Sequence, residues 1–520
     1  MRKVASQFLF CISLLFLNGC AIQVAPQGGE KDVTPPVLQS VQPASGSLNF
    51  SGNSLEFEFD ENIQVKDIAS KLVVSPPLKQ LPIVKSRKNK LLVTFDDTLH
   101  PATTYTFNFG DAIVDLNEGN AFPDLQYVVS TGSYIDTLNL YGVVSRAEDL
   151  QPEKGMLVML YPGSAADSAP YLERPSYFSK TNSSGKFSIN NLAAGNYRLF
   201  GLLETNQNYR YDDPAERIAF TDSLIALPDS GIQLYSFRQY GPTELLKSSA
   251  EEPGKIRLIF NQPFPKAEVR YLNATNLQLT DSLVSAQRDT LTFWYTNLSS
   301  DTAAFIIDYV STSDTILLQL KKYEPKPGKK TNFQLQVSAL NTNAIPIVQP
   351  LQLTTNHPVK NIGVDYIILR SDTARIKDGL SLSVNQDKTT LLLSVNWMED
   401  SQYSLQLLPG AFTDIFGLTN DTVEQPLTIR PATTFGTLRV QVSGSLSSTQ
   451  SLLLLVDEKD AVVRQAIFSS DTTAYFDYLL PGTYRLKWID DTNANGRWDE
   501  GNYLLHRQPE AVRYYDERIP

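Results

Sequence analysis

Residues 54–59 have the sequence Ser-Leu-Glu-Phe-Glu-Phe, in which apolar side chains alternate with polar ones. Successive side chains of a β-strand point to opposite faces, so Leu55, Phe57 and Phe59 would share one buried face. The same alternation recurs in two other stretches, residues 105–109 (YTFNF) and 438–442 (LRVQV). A period of two predicts half-buried antiparallel strands, and no amphipathic stretch at helical spacing exceeds two turns. We therefore predict an all-β chain built from β-sandwich modules in tandem.

Length, charge and composition limit the number of domains and the classes of function. At roughly 150 residues per domain, the 520 residues predict about three to five domains. The net charge of −11 gives no attraction for DNA or RNA. Only three His are present, and the sequence has no HExxH, GxSxG, Walker A or GxGxxG motif. We predict a non-enzymatic protein without a nucleic-acid partner.

The N-terminus has the features of an export signal. Two basic residues precede an apolar segment, residues 8–17, that is too short to span a bilayer. Residues 17–20 (LNGC) resemble the lipobox of bacterial lipoproteins. This resemblance implies that a signal peptide, residues 1–19, is removed and that Cys20 is lipidated with fatty acyl chains such as palmitate. The alternative is a plain secretory signal with an accidental cysteine.

The residues around Cys20 indicate where in the cell envelope the protein is located. Cys11 lies inside the signal, so Cys20 would have no disulfide partner in the mature chain. Residues 20–36 are rich in Gly, Pro and Gln and are predicted to form a flexible lipidated tether. No Asp follows the cysteine to retain the protein in the inner membrane, and no dense acidic run marks it for surface export. The sequence therefore favours an outer-membrane lipoprotein facing the periplasm over one at the cell surface.

Two internal repeats indicate duplicated modules. The motif GNYRL (195–199) recurs as GTYRL (482–486), and each copy is followed by acidic and Asn residues at the same spacing, Glu204/Asn206/Asn208/Asp212 and Asp491/Asn493/Asn495/Asp499. A looser pair links residues 105–120 with 403–420, where a strand runs into a loop that holds an Asp and a Gly. The first repeat predicts two copies of one small β-sandwich, each of about 85 to 95 residues.

The first part of the chain carries a group of short motifs: Thr34-Pro35-Pro36, Val41-x-Pro43-x-x-Gly46, Phe59-Asp60-Glu61-x-Ile63, Tyr105-Thr106-Phe107, Gly119-Asn120 and Ser130-Thr131-Gly132. Together they resemble the bacterial SbsA-type Ig-like domain, which implies a β-sandwich without catalytic residues. The whole chain, up to Gln508-Pro509-Glu510, is similar to Ig-like-domain lipoproteins of Bacteroidota. That resemblance implies prealbumin-like or carboxypeptidase-regulatory-like modules after the Ig-like domain.

Repeats and resemblance together predict a domain order after the tether. It consists of an SbsA-type Ig-like domain (37–132), a prealbumin-like sandwich (133–229), a sandwich of uncertain type (230–355), a further Ig-like domain (356–432) and a second prealbumin-like sandwich (433–520).

Residues 491–499 have the spacing of a calcium-binding loop. Oxygen-bearing side chains occupy positions 1, 3, 5 and 9, Gly occupies position 6, and position 7 would contribute a backbone carbonyl: Asp491, Asn493, Asn495, Asp499, Gly496 and Arg497. Asn502 stands at position 12 in place of the usual bidentate Glu. The alternative is a turn in which Asn and Asp bond their own backbone. The corresponding loop of the first repeat, residues 204–212, departs further from the calcium-loop pattern, with Glu204 at position 1 and Tyr209 at position 6.

A tripeptide of Asp, then Ser or Thr, then an aliphatic residue or Thr occurs eleven times, against roughly two to three expected from composition. It resembles the O-glycosylation acceptor of Bacteroidota, which implies modification at Thr98, Thr137, Ser168, Ser223, Ser282, Thr290, Thr302, Thr315, Thr373, Thr422 and Thr472. The alternative is structural, because Asp ends turns and β-branched Thr begins strands.

These features predict a non-enzymatic, lipid-anchored cell-envelope protein, a rod of about five modules with a structural or binding role at the outer membrane. Its partner would be an unidentified envelope protein or a glycan. The alternative is a glycan-binding accessory lipoprotein of a polysaccharide uptake system. That alternative requires exposed Trp or Tyr on one face, for which Trp397, Trp488 and Trp498 are candidates, although large aromatics more often form cores.

Overall fold

The computed structural model describes residues 32–515 apart from several short gaps, and its regular structure is almost entirely β-strand. The ranges within 32–515 not described are 207, 265–266, 273–276, 280–282, 286–287, 311, 325–332, 339–343, 346–349, 372–373, 377 and 444–448. The predicted fold class, all-β tandem sandwiches, is confirmed. No helix in the described part of the chain is long and apolar enough to cross a membrane.

Module 1 is a sandwich in which Leu55, Phe57 and Phe59 are fully buried, as their alternation predicts. Its sheets have the orders β1-β2-β6-β5, β3-β8 and β4-β7-β9. The elements are β1 (Leu38–Gln42), β2 (Ser54–Phe59), β3 (Ile63–Val65), α1 (Ile68–Lys71), β4 (Val73–Ser75), β5 (Ile83–Arg87), β6 (Lys90–Thr94), β7 (Thr104–Asn108), β8 (Ile113–Asp115) and β9 (Gln126–Ser130).

Module 2 is an eight-stranded sheet that buries apolar residues on both faces. The strand order is β12-β11-β14-β15-β17-β10-β13, with β16 paired to β14. The elements are β10 (Leu138–Arg146), β11 (Leu157–Pro162), α2 (Ala169–Leu172), β12 (Tyr177–Lys180), β13 (Lys186–Leu192), β14 (Asn196–Leu203), β15 (Arg217–Phe220), β16 (Ile225–Ala226) and β17 (Asp229–Arg238).

Module 3 has two sheets around its own core, β18-β19-β23 with β21 and β22 on β23, and β20-β24-β25. Its order of strands on each sheet resembles that of module 1. The elements are β18 (Leu245–Ser249), β19 (Lys255–Phe260), β20 (Ala267–Tyr271), β21 (Gln278–Leu279), β22 (Leu283–Val284), β23 (Thr290–Thr296), β24 (Thr302–Tyr309) and β25 (Thr312–Gln319).

Module 4 repeats the topology of module 1, with β26-β28-β33-β32, β29-β35 and β27-β36-β34-β30-β31. The elements are β26 (Leu335–Ser338), β27 (Ala344–Ile345), β28 (Leu351–Thr355), β29 (Val359–Ile362), a 3₁₀ helix (Val364–Tyr366), β30 (Ile367–Ser371), β31 (Ala374–Ile376), β32 (Leu380–Val384), β33 (Thr390–Val395), β34 (Ser401–Leu407), β35 (Phe412–Asp414) and β36 (Val423–Ile429).

Module 5 follows a 3₁₀ helix (Ala432–Thr434) and shares the strand plan of module 2. The pair β37-β40 corresponds to β10-β13, and the sheet β39-β38-β41-β42 corresponds to β12-β11-β14-β15. The elements are β37 (Gly436–Val442), β38 (Gln450–Val456), β39 (Val462–Phe468), β40 (Thr472–Leu479), β41 (Arg485–Asp491) and β42 (Val512–Tyr514).

Two of the predicted module boundaries are wrong. Strand β17 pairs in parallel with β10 and so belongs to module 2, which extends past residue 229. Strands β26 and β28 pair with the sheet of module 4, where Leu351 and Leu353 enter the core, so that module begins before residue 356. In both cases the partner strand lies far away in sequence, and local alternation could not assign the strand to a sheet.

The predicted tether also ends earlier than residue 36. The Asn120 side-chain amide donates to the backbone carbonyls of Asp32 and Thr34, at 3.0 and 3.2 Å. The backbone N–H of Val37 donates to the Asp60 carboxylate at 2.7 Å. Residues 32–36 therefore attach to module 1 through hydrogen bonds.

The chain does not run as a linear rod, because module 5 returns to module 2. Tyr503 is only 1% exposed, and its ring centroid lies 4.9 Å from that of Phe200 and 5.2 Å from that of Phe220. The Gln508 side-chain amide donates to the Phe220 carbonyl at 3.2 Å and to the Asp222 carboxylate at 2.9 Å. The predicted rod is therefore wrong at this point, since Tyr503 of module 5 completes an aromatic core of module 2.

Candidate functional site

The repeated motif forms two loops at equivalent places in modules 2 and 5. The module 2 loop, residues 204–216, joins β14 to β15. The module 5 loop, residues 491–510, joins β41 to β42. The strands on either side correspond in the two modules, so each loop leaves the same edge of its sheet.

In both loops two Asn side chains converge on one Asp. The Asp212 carboxylate accepts hydrogen bonds from the amides of Asn206 at 3.0 Å and Asn208 at 2.6 Å. In the module 5 loop, Asp499 accepts from the amides of Asn493 at 2.6 Å and Asn495 at 2.5 Å. The predicted ligand side chains at positions 3, 5 and 9 are thus brought together in each copy.

The backbone at position 6 is also the same in both loops. Gly496 has a φ of 78° and donates its N–H to the Asp491 carboxylate at 2.8 Å. Tyr209 has a φ of 63° and donates its N–H to the Glu204 carboxylate, also at 2.8 Å. A bulky residue rarely adopts this left-handed conformation. Tyr209 nevertheless adopts it here, so the Tyr in place of Gly does not prevent the module 2 loop from forming.

Each loop is closed by a carboxylate that sequence spacing did not identify. The N–H of Thr205 donates to Glu216 Oε1 at 3.0 Å, and the N–H of Thr492 donates to Glu510 Oε1 at 2.7 Å. Glu510 Oε2 also accepts from the N–H of Asp499 at 3.1 Å. Glu216 follows the first loop residue by 12 positions and Glu510 by 19. Because the spacings differ, only the fold shows that the two residues are equivalent.

Each loop holds one Glu that burial makes harder to ionise. Burial raises the pKa of Glu204 and that of Glu510 above the usual value for Glu, although backbone N–H groups partly oppose the shift. Asp491 is fully buried and accepts a hydrogen bond from the Gln450 side-chain amide at 2.7 Å. The Arg497 guanidinium lies 3.5 Å from the Asp499 carboxylate and supplies positive charge at the rim.

Acidic residues alone do not form a metal site in these loops. Within the described ranges, no three His, Cys, Asp or Glu side chains are grouped closely enough to hold a metal ion. A cation here would also need oxygens from Asn side chains and from backbone carbonyls. The calcium assignment for Asp491, Asn493, Asn495, Arg497 and Asp499 stays a prediction.

The predicted modification sites fall mostly on accessible turns and strand ends. Cys20, Ser282 and Thr373 lie outside the described residues. Thr290 and Thr472 are half-buried. The other acceptor residues are exposed: Thr98, Thr137, Ser168, Ser223, Thr302, Thr315 and Thr422.

The three candidate Trp residues do not form an exposed platform. Trp397 is 6% exposed and packs against Tyr403 in the core of module 4. Trp488 is partly buried against Phe468, with ring centroids 5.1 Å apart. Trp498 is partly buried and donates its indole N–H to the Glu510 carbonyl at 2.9 Å. These Trp side chains therefore contribute to packing, as large aromatic residues in β-sandwiches commonly do.

Comparison with known proteins finds a family likeness over one part of the chain. Residues 32–131 match the family described as bacterial Ig-like domain. This range coincides with module 1 and includes the hydrogen-bonded residues 32–36. Module 1 is therefore similar to bacterial Ig-like domains, in agreement with the Ig-like resemblance of its motifs. No curated protein matches the chain.

Several solved structures show limited likeness to the chain. Domains 5–6 of the S-layer protein SbsC are 12% identical over 36% of this chain and 98% of theirs, with a TM-score of 0.18. The SGBP-B protein of the Bacteroides ovatus mixed-linkage glucan utilization locus is 14% identical over 65% of this chain and 86% of its own, with a TM-score of 0.19. These TM-scores are too low for either likeness to bear on function.

Proposed function

We propose that the chain is a non-enzymatic, lipid-anchored protein of the bacterial cell envelope, with a structural or binding role at the outer membrane. The observation that carries this proposal is the architecture, a bacterial Ig-like domain followed by four further β-sandwich modules. The partner would be another envelope protein or a glycan. The net charge of −11 gives no basis for a nucleic-acid partner.

The contact between modules 2 and 5 suggests how such a protein holds its shape. Modules 3 and 4 lie between modules 2 and 5 in sequence. The contact between modules 2 and 5 therefore holds together the two ends of the segment formed by modules 3 and 4. Lipid at Cys20 would attach module 1 to the membrane through residues 20–31. We infer that the chain presents a closed arrangement of modules to its partner.

The anchor is tested by replacing each cysteine in turn. Cells fed labelled palmitate should incorporate label into the protein and into Cys11→Ala, the matched control within the signal peptide. Cys20→Ala should lose the label, because the acyl chains are expected on that cysteine. Label retained in Cys20→Ala would contradict the proposal. Protease added to intact cells should leave the protein uncut if it faces the periplasm, whereas cleavage would place it at the surface.

The alternative function, a glycan-binding accessory lipoprotein of a polysaccharide uptake system, stays a separate hypothesis. It does not gain support from Trp397, Trp488 or Trp498, because each of them packs inside or between modules. Any sugar-binding face would need to use exposed Tyr side chains instead. Binding of soluble glycans to the purified chain, measured by calorimetry, would distinguish this alternative from a role in holding envelope proteins.

The Asp-Ser/Thr tripeptides are proposed as O-glycosylation sites. The seven exposed acceptors should carry glycan in protein isolated from its native envelope, since a bulky sugar is tolerated where the side chain is accessible. Half-buried Thr290 and Thr472 should be modified less. Peptide mass spectrometry measures the occupancy at each residue. Absence of glycan from all seven exposed acceptors would contradict the proposal. The turn-forming role of Asp and Thr would then explain why the tripeptide is frequent.

A further inference from the structure

A cleft of about 520 Å³ lies at the joint between modules 2 and 5. Strand β17 of module 2 contributes Gln233 and Tyr235, which are two residues apart and therefore point to the same side of the sheet. Residues 221–223, which follow β15, and residues 508–513 of module 5 complete the cleft. Its volume is in the range of small-molecule sites, which form preferentially at interfaces between domains.

Module 5 covers only part of this side of β17. Phe237 is fully buried, and Gly501 of module 5 lies so close to it that an added Cβ would be 2.6 Å from the Phe237 Cζ atom. Tyr235, two residues earlier on the same side, is 41% exposed. Its ring therefore remains open to solvent at the edge of the contact, within the cleft. An accessible aromatic ring in a cleft offers a surface on which the apolar face of a pyranose ring can stack.

Side chains that can bond hydroxyl groups line the same cleft as the exposed ring. The Asp222 Oδ1 atom accepts from the Gln508 side-chain amide at 2.9 Å, which links the two modules across the cleft. A carboxylate accepts about four hydrogen bonds, so Asp222 retains acceptor positions for a ligand. The Gln233 amide makes only long hydrogen bonds, 3.3 Å to the Leu234 carbonyl and 3.4 Å to Ser145 Oγ. It can exchange these bonds for shorter ones to a ligand hydroxyl, which both donates and accepts.

The charges in the cleft favour a neutral ligand. Arg513 is the one basic side chain among the described residues that line it. Its guanidinium nitrogens lie 3.1 and 2.9 Å from the two carboxylate oxygens of Asp490, so its charge is already paired. The carboxylates of Asp222 and Glu510 add negative charge. These carboxylates would repel a uronic acid or a phosphate group, whereas they accept hydrogen bonds from uncharged hydroxyl groups.

We propose that the joint between modules 2 and 5 binds a neutral oligosaccharide. One pyranose ring stacks on Tyr235, and its hydroxyl groups bond Gln233 and Asp222. This inference rests on a glycan as the partner in the proposed function, and it does not depend on lipid anchoring. Because residues of both modules contact the sugar, binding also stabilises the contact between the modules.

Calorimetric titration of the full chain with maltohexaose, cellohexaose, mannohexaose and xylohexaose tests the proposal. The chain is expressed in a host that does not glycosylate it, because a glycan on the proposed acceptor Ser223 would enter the cleft. At least one sugar should bind, and Tyr235→Ala should weaken that binding at least about tenfold, since aromatic anchors supply much of the binding energy of such sites. Tyr235→Phe keeps the ring and should bind as the unmodified chain does. The matched control Tyr141→Ala removes a Tyr of β10 that is 48% exposed outside the cleft, and it should leave binding unchanged.

Hydrogen exchange of the unmodified chain gives a measurement that does not depend on any variant folding. Peptides from β17 and from residues 508–513 should exchange more slowly when the sugar is bound, and peptides from module 4 should be unchanged. Undiminished binding to folded Tyr235→Ala would overturn this site and leave a glycan as the partner. Absence of binding heat with all four sugars at about 10 mM, enough to fill a site with a dissociation constant of about 1 mM, would overturn the oligosaccharide site and leave an envelope protein as the partner.

Discussion

Replacing Tyr503 with Ala is expected to lower the free energy of unfolding of the joined modules 2 and 5 by about 3 kcal/mol or more, the usual cost of deleting a buried aromatic ring. The Tyr503 ring is 1% exposed and lies among Phe200, Phe220 and Tyr171, with centroid distances of 4.9, 5.2 and 6.2 Å. Removing it leaves a cavity between the two modules. We expect module 5 to separate from module 2 in this variant.

Hydrogen exchange of peptides from β14, β15 and residues 498–508 measures the loss of stability at this contact, where Trp498 also packs. Small-angle X-ray scattering of the folded variant should show an expanded chain. Leu505→Ala is the matched control, since this neighbour is 70% exposed and should change stability by less than about 0.5 kcal/mol. Tyr503→Phe keeps the ring and should preserve the contact. Equal stability and size of Tyr503→Ala and Leu505→Ala would contradict a docked module 5.

Replacing Asp414 with Ala is expected to destabilise module 4 by about 3 kcal/mol, the cost of leaving buried hydrogen-bond donors without their acceptor. Asp414 is fully buried, and its Oδ1 accepts from the N–H groups of Phe416 and Leu418 at 2.9 and 2.8 Å. Its Oδ2 lies 2.8 Å from His357 Nδ1. Without the carboxylate, buried donors lose their acceptor.

Hydrogen exchange measured by mass spectrometry can assign the loss to one module, which matters because a chain of several modules does not unfold in two states. Peptides from β34 and β36 should exchange faster in Asp414→Ala, and those from module 1 should be unchanged. Asp414→Asn keeps an acceptor for the two N–H groups and should lose less stability. The exposed Asp421→Ala serves as the control. Unchanged exchange in β34 of Asp414→Ala would contradict this role.

Much of module 1 and of its counterpart, module 4, could be predicted from local sequence. The alternating Leu55, Phe57 and Phe59 are all fully buried. The looser repeat also corresponds to real structural equivalence. Asp115 and Asp414 are both fully buried and accept backbone N–H bonds, and the loops that follow them have Gly residues with the same φ of 83°. These features depend on contacts within about five residues, which a local pattern records.

Other features depended on pairing between distant segments. Strands β17 and β28 carry patterns suitable for a sandwich, but their modules were assigned wrongly because the partner strands β10 and β33 lie 30 to 90 residues away. The position-1, 3, 5 and 9 residues of the two loops were identified, since their spacing is regular. Glu216 and Glu510 were not, because the insertion between Asp499 and Glu510 changes the spacing in the second copy.

The sequence by itself determined that this protein is a series of β-sandwiches with two copies of one acidic loop. Strand formation and the loop depend on alternation and on residues a few positions apart, so the relevant interactions are local. Only the tertiary structure decided that module 5 packs against module 2 through Tyr503, and that a Glu at the C-terminal end of each loop closes it. Those contacts join groups separated by up to about 300 residues. Their formation depends on how whole sheets pack, which no local pattern of residues encodes.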